Sequence, residues 1–152
     1  MRILVFSDSH GSTWRMREAI SMHTEADMII HLGDGERDID LLKDEIGNRK
    51  VVQVCGNCDI YSLLPYNEIV SVSGIKIFCS HGHNEFVKHG ITHFVEKAKS
   101  IGASIALYGH THQSVTAYDD GLHIMNPGSI AKGEFGAIDI TPQGIMLLPM
   151  KI

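Results

Sequence analysis

The chain has 152 residues, 43% of them hydrophobic and 20% charged, with a formal net charge of −5. That suits one globular domain able to bury most of its apolar surface, and it excludes a disordered chain. No apolar run nears the ~20 residues of a membrane span. An acidic chain does not attract polyanions by its overall field, so no extended nucleic-acid surface is expected.

The elements follow in order. Ile3–Phe6 is a short apolar run, the pattern of a strand buried on both faces. Ser12 or Thr13 caps a helix carrying Trp14, Met16, Ala19 and Ile20. Met28–Leu32 reads as a second strand, 38–46 as a helix stopped by Gly47, and Val51–Cys55 as a third strand. This β-α-β-α-β start predicts parallel strands. Glu68–Val72 and Ile75–Cys79 flank Ser73-Gly74 as a hairpin. Ile91–Ile101 is helical, Ile105–Tyr108 is a buried strand, and two further hairpins turn at Asp119–Gly121 and Pro142–Gly144. No linker or repeat interrupts the chain. The expectation is an α/β fold with two packed mixed sheets, helices outside, over residues 1–152 as one domain without a cap.

The N-terminal apolar run is too short for a secretory signal, so a cytoplasmic protein is expected. Cys55, Cys58 and Cys79 are an odd set with no disulfide spacing. Cys55-x-x-Cys58 admits a redox reading, set against Cys55 as a small hydrophobe ending a strand. Met16, Met22, Met28, Met125, Met146 and Met150 read as core fillers.

Five predicted strands each end in Asp, Asn or His beside a glycine. They are Asp8-Ser9-His10-Gly11, Gly33-Asp34-Gly35, Gly56-Asn57-Cys58-Asp59, His81-Gly82-His83 and Gly109-His110-Thr111-His112. The carboxyl edge of an α/β sheet is where ligands bind. The plainer reading, loop histidines scattered over a surface, is disfavoured by this recurrence. Two carboxylates, an amide oxygen and four imidazoles form a mixed O/N set. It suits Mn, Ni, Co, Fe or Zn better than Ca or Mg. Asp8, His10, Asp34, Asn57, His81, His110 and His112 are too many ligands for one ion with an open position. They fit two ions if a carboxylate bridges, the arrangement that clamps both oxygens of a displacement at phosphorus.

In this order the same motifs resemble the calcineurin-like metallophosphoesterase superfamily, and the wording is similar to its small prokaryotic YfcE-type phosphodiesterases. The resemblance runs from Asp8 to about Ser129. It implies a four-layer α-β-β-α sandwich. It also implies that Asp8, His10 and His112 hold one ion, Asn57, His81 and His110 the other, and that Asp34 bridges. The implied reaction is hydrolysis of a small phosphodiester by hydroxide bridging two divalent transition-metal ions, manganese first. The alternatives are a phosphomonoesterase and a non-catalytic interaction module of the same fold. Many members carry histidine after the asparagine; here Cys58 stands there, a weak proton donor. His83 is a candidate replacement, so the catalytic set is Asp34, Asn57, Cys58 and His83. A homo-oligomer could wall the site.

Among the other polar residues, His31 reads as a core histidine bonded to a neighbour. Asp59 reads as a loop-orienting residue, and Arg37 and Asp38 as an exposed pair at a helix start, with a phosphate contact by Arg37 as the alternative. Asn126-Pro127-Gly128-Ser129 is either a turn near the site or a purely structural loop. With no segment assigned to a cap, an open and shallow site is expected.

Overall fold

The computed structural model describes all 152 residues. Three parallel strands, β1 (Arg2–Phe6), β2 (Met28–His31) and β3 (Lys50–Gln53), form the parallel part of a first sheet. Between them run α1 (Thr13–Met22) and two short helices, α2 (Glu36–Asp40) and α3 (Lys43–Ile46). The chain then enters a second sheet through the hairpin β4 (Asn67–Val72) and β5 (Ile75–Ser80), followed by α4 (Thr92–Ser100) and β6 (Ile105–Leu107). A hairpin of β7 (Ser114–Asp119) and β8 (Leu122–Pro127) completes that sheet. β9 (Glu134–Thr141) and β10 (Gly144–Lys151) return to the first. The orders are β10-β9-β1-β2-β3 and β4-β5-β6-β8-β7, both mixed.

Alternation within β1 shows why the layers form. Ile3 and Val5 point between the sheets, where they meet Met28, Ile30, Val70, Ile77, Ile105 and Leu107. Leu4 and Phe6 point outward and pack under α1, α2 and α3 through Met16, Ile20, Ile39, Leu42 and Ile46. On the other side α4 sets Phe94 and Ala98 against Phe78, Ala106 and Tyr108. Each such buried side chain is worth roughly 1.5–3 kcal/mol, and period-2 burial gives every strand a helix-facing and a sheet-facing row. The result is the expected α-β-β-α sandwich.

The turns are chemically matched. Ser73-Gly74 and Asp120-Gly121 have positive φ at both positions (50° and 75°, 46° and 87°), as two-residue hairpin turns require.

Three expectations fail locally. The helix over 38–46 is two helices, because Leu42 N–H bonds back to Ile39 C=O, three residues away, and tightens the chain there. Met22 and Met146 are exposed at 60% and 57%, not core fillers. Met22 lies off the inner face of α1 defined by Met16, Ala19 and Ile20. Asp38 is buried rather than exposed, accepting from Ser9 Oγ (2.6 Å) and Gly11 N–H (2.8 Å).

Candidate metal centre

Strands β1, β2, β5 and β6 end at one edge of the sandwich, and the loops leaving them carry the expected ligands. Backbone geometry there is unusual. Asp8, His10, Asp34, His110 and His112 all have positive φ, between 43° and 66°. Asp and His tolerate this region better than most residues, and left-handed residues gather at functional sites. Close approach is built in as well: a Cβ on Gly56 would collide with the Asp34 carboxylate, and one on Gly109 with Ser7 Oγ.

Asp8 is fully buried. Its Oδ2 accepts from Ser7 Oγ (2.5 Å) and from His110 N–H (3.1 Å). Its Oδ1 has no hydrogen-bond partner at all. A buried carboxylate oxygen left bare is costly unless a cation meets it. Around Oδ1 stand the Nε2 atoms of His112 (3.0 Å), His10 (3.9 Å) and His81 (4.0 Å). Donors each ~2.1 Å from a shared ion sit about 3–4 Å from one another, so the spacing fits a divalent transition metal. Two groups of donor atoms form here, Asp8–His10–His112 and Asp8–Asp34–His81.

Asp34 is held in the same manner. Cys58 N–H donates to its Oδ1 (2.7 Å), while Oδ2 faces His81 Nε2 (3.5 Å) and His10 Nε2 (3.8 Å). His81 Nδ1 lies 2.7 Å from Leu32 C=O, a bond that requires Nδ1 to donate and leaves the Nε2 lone pair for the site. Nε2 also lies 3.1 Å from Asn57 Oδ1. His110 stands edge-on to His81 at a ring separation of 5.0 Å, outside the two closest groups. Burial, and secondly the neighbouring His81, pushes His110 down to about 4, so its ring is neutral and able to ligate. Cys58 joins His10 and Asp34 in a third group, a thiol contact that spacing alone did not suggest.

His83 lies against the His81 ring (5.4 Å) and the Tyr66 ring (5.7 Å), and its buried Nδ1 has no partner. Desolvation lowers its pKa, favouring the neutral ring. Desolvation and then the Asp34 hydrogen bond raise the Cys58 thiol.

Residues outside the ligand set hold the loops. Asp59 accepts from the N–H groups of Asp34, Gly35, Glu36 and Gly56 at 2.8–3.1 Å, orienting the loop as expected. His31, buried and pushed to about 4 by desolvation, meets Ser9 Oγ at 3.1 Å as a core histidine. Asn126 ties Gly109 C=O and Thr111 Oγ1, and Ser129 Oγ donates to Asp8 C=O. Residues 126–129 therefore brace the site rather than enter it. Two supports escaped the sequence reading. One is Ser7. The other is Glu85, buried at 1% and bonded to Ser80 Oγ (2.7 Å) and Lys97 Nζ (2.6 Å). Ser7 beside Asp8 was visible as a motif neighbour; nothing in the linear order joins Glu85 to Lys97.

Known proteins of similar sequence and fold place the chain in a family. The calcineurin-like phosphoesterase superfamily domain matches residues 1–143. A probable metallophosphoesterase of Bacillus subtilis (strain 168), YsnB, is 30% identical over 131 residues, covering 86% of this chain and 75% of its own. A phosphodiesterase of Methanocaldococcus jannaschii is 27% identical over 145 residues, covering 84% of this chain and 83% of its own. Among solved structures, a predicted phosphoesterase from Streptococcus pneumoniae TIGR4 superposes with a TM-score of 0.78 at 24% identity, over 98% of this chain and 97% of that one. Vps29 from Entamoeba histolytica complexed with Zn shares the fold at a TM-score of 0.76 and 17% identity, over 99% of each chain. The chain belongs to the calcineurin-like phosphoesterase superfamily. It is a hydrolase of phosphoesters that works with divalent metal.

Proposed function

We propose that the chain is a phosphodiesterase using two divalent transition-metal ions, manganese before nickel, cobalt, iron or zinc, on a small diester substrate. The bare Asp8 Oδ1, shared between two groups of donors, is the observation that carries this reading. Asp8, His10 and His112 would hold one ion, Asn57, His81 and His110 the other, with Asp34 common to both. When bound, such a pair supplies positive charge for the phosphate and an activated water as nucleophile.

The chain's own groups prepare that chemistry. Ser7 and the His110 N–H fix one oxygen of Asp8, and the Cys58 N–H fixes one oxygen of Asp34; each leaves the other oxygen facing the site. His83, packed against His81 and Tyr66 beside the ligands, is the candidate to assist the leaving alcohol; its Nδ1 is buried, so Nε2 would have to make that contact. Cys58, its pKa raised, protonates a leaving group poorly. A diester asks less of the site than a monoester dianion, and the M. jannaschii relative is named a phosphodiesterase.

Manganese-loaded protein is expected to hydrolyse bis(p-nitrophenyl) phosphate faster than p-nitrophenyl phosphate. Cys58→His is expected to shift that preference toward the monoester by roughly 10- to 100-fold, at and below the bottom of the range for a well-placed general acid, because p-nitrophenolate already leaves readily. A wild-type preference for the monoester would overturn the diester reading. An unchanged ratio in a folded, metal-loaded variant would reduce Cys58 to packing.

A further inference from the structure

A cleft of about 430 Å³ runs beside the metal donors. His10, Asp34 and Cys58 line it among the metal donors, and Arg37, Ile60 and Tyr61 line it as well. The expected shallow site therefore has a recess along one flank, of a size that holds small ligands.

Ile60 and Tyr61 are 74% and 98% exposed, so apolar surface is presented to water next to the donors. Tyr61 does this with a left-handed backbone (φ 61°), a conformation uncommon outside glycine.

The charges in the cleft are unevenly used. Asp38 is occupied by Ser9 and Gly11, and Asp59 by four backbone N–H groups. Glu36 makes no ion pair. Arg2, Arg15, Arg17 and Arg49 each hold a carboxylate or carbonyl oxygen. Arg37, the one cation lining the cleft, holds none.

We propose that the cleft takes one ester group of the substrate and that Arg37 binds a second phosphate carried on that group. This rests on the phosphodiesterase reading. The lining describes a phosphorylated nucleoside: a flat ring against Ile60 and Tyr61, sugar hydroxyls donating to Glu36, and a phosphate on the Arg37 fork, whose planar donors match phosphate oxygens. In a chain of net charge −5, a substrate with two phosphates needs local cations, and Arg37 supplies one in addition to the metals.

The test compares uridine 5′-(p-nitrophenyl phosphate) with and without a 3′-phosphate, both keeping the 2′-hydroxyl for Glu36, on the manganese-loaded full chain. The 3′-phosphate is expected to raise kcat/KM by about tenfold or more, as a charge-assisted bidentate contact does, chiefly through KM. Arg37→Gln brings the ratio near one. Arg17→Gln, which removes a guanidinium bound to Glu45 instead, keeps it and so rules out a general charge effect. A wild-type ratio near one, with bis(p-nitrophenyl) phosphate still hydrolysed, overturns the subsite and leaves the phosphodiesterase reading standing. A ratio that survives Arg37→Gln overturns the role of Arg37. No hydrolysis of bis(p-nitrophenyl) phosphate overturns the phosphodiesterase reading itself.

Discussion

Chelation of divalent metal is expected to abolish hydrolysis of bis(p-nitrophenyl) phosphate, and manganese, nickel or cobalt to restore it. Without metal, Asp8 Oδ1 stays buried with no partner and the Asp8 and Asp34 charges face one another's ligands uncompensated. Metal should therefore stabilise the fold as well as activate it, raising Tm with concentration as any ligand of the native state does. Asp34→Asn keeps an oxygen for the Cys58 N–H but removes the charge common to both groups. A loss of at least about a thousandfold in kcat/KM is expected, on the order of 4 kcal/mol. Metal content should fall in the same variant. Full turnover by metal-stripped protein would refute the centre, and unchanged metal content in Asp34→Asn would remove Asp34 as the bridge.

Lys97→Met is expected to cost about 2–4 kcal/mol of stability at neutral pH, or roughly 10 °C in Tm for a domain of this size. Glu85 is almost completely buried, and its charge is met by Lys97 and Ser80. Desolvation pulls its pKa up, but the Lys97 and Ser80 hydrogen bonds outweigh that and leave it below the usual carboxylate range. The magnitude is set below that of a fully buried pair because Lys97 is 38% exposed.

The sign with pH follows from linkage. In the wild type the folded pKa is depressed, so the pair's contribution is present above the unfolded pKa and is lost as pH falls through the folded value. In the variant desolvation is opposed only by Ser80 and a backbone hydrogen bond, so protonating Glu85 relieves the penalty. The stability gap between the two proteins should thus narrow as pH falls from 7 toward 4. Denaturant unfolding at several pH values measures it, and Glu85→Gln in the Lys97→Met background should recover part of the loss. A gap independent of pH would mean that Lys97 stabilises through its packing on Phe78 or its hydrogen bond to Asn67, and not through the Glu85 charge.

Much of the fold was legible because local signals agreed. The apolar run Ile3–Phe6, the turn pairs Ser73-Gly74 and Asp120-Gly121, and the Gly102 stop after α4 each state their structure within a few residues. The split of 38–46 was not legible, since the apolar spacing of Ile39, Leu42 and Ile46 is the same for one helix or two. Exposure of Met22 and Met146 likewise depended on which face the rest of the fold covered.

At the site, residue types and their order by themselves determined which chemistry was available: carboxylate, amide and imidazole groups after five apolar strands. Tertiary structure alone decided the state of each atom. It left Asp8 Oδ1 bare and filled Oδ2, brought the Lys97 ammonium of α4 onto buried Glu85, turned Asp59 toward four amides across 23–25 residues and three, and opened a cleft beside Arg37. The physical reason is range. Backbone preference and hydrophobic period act over a few residues and can be read along the chain. Hydrogen-bond satisfaction, desolvation and charge pairing depend on neighbours far apart in sequence, which exist only once the two sheets have closed on each other.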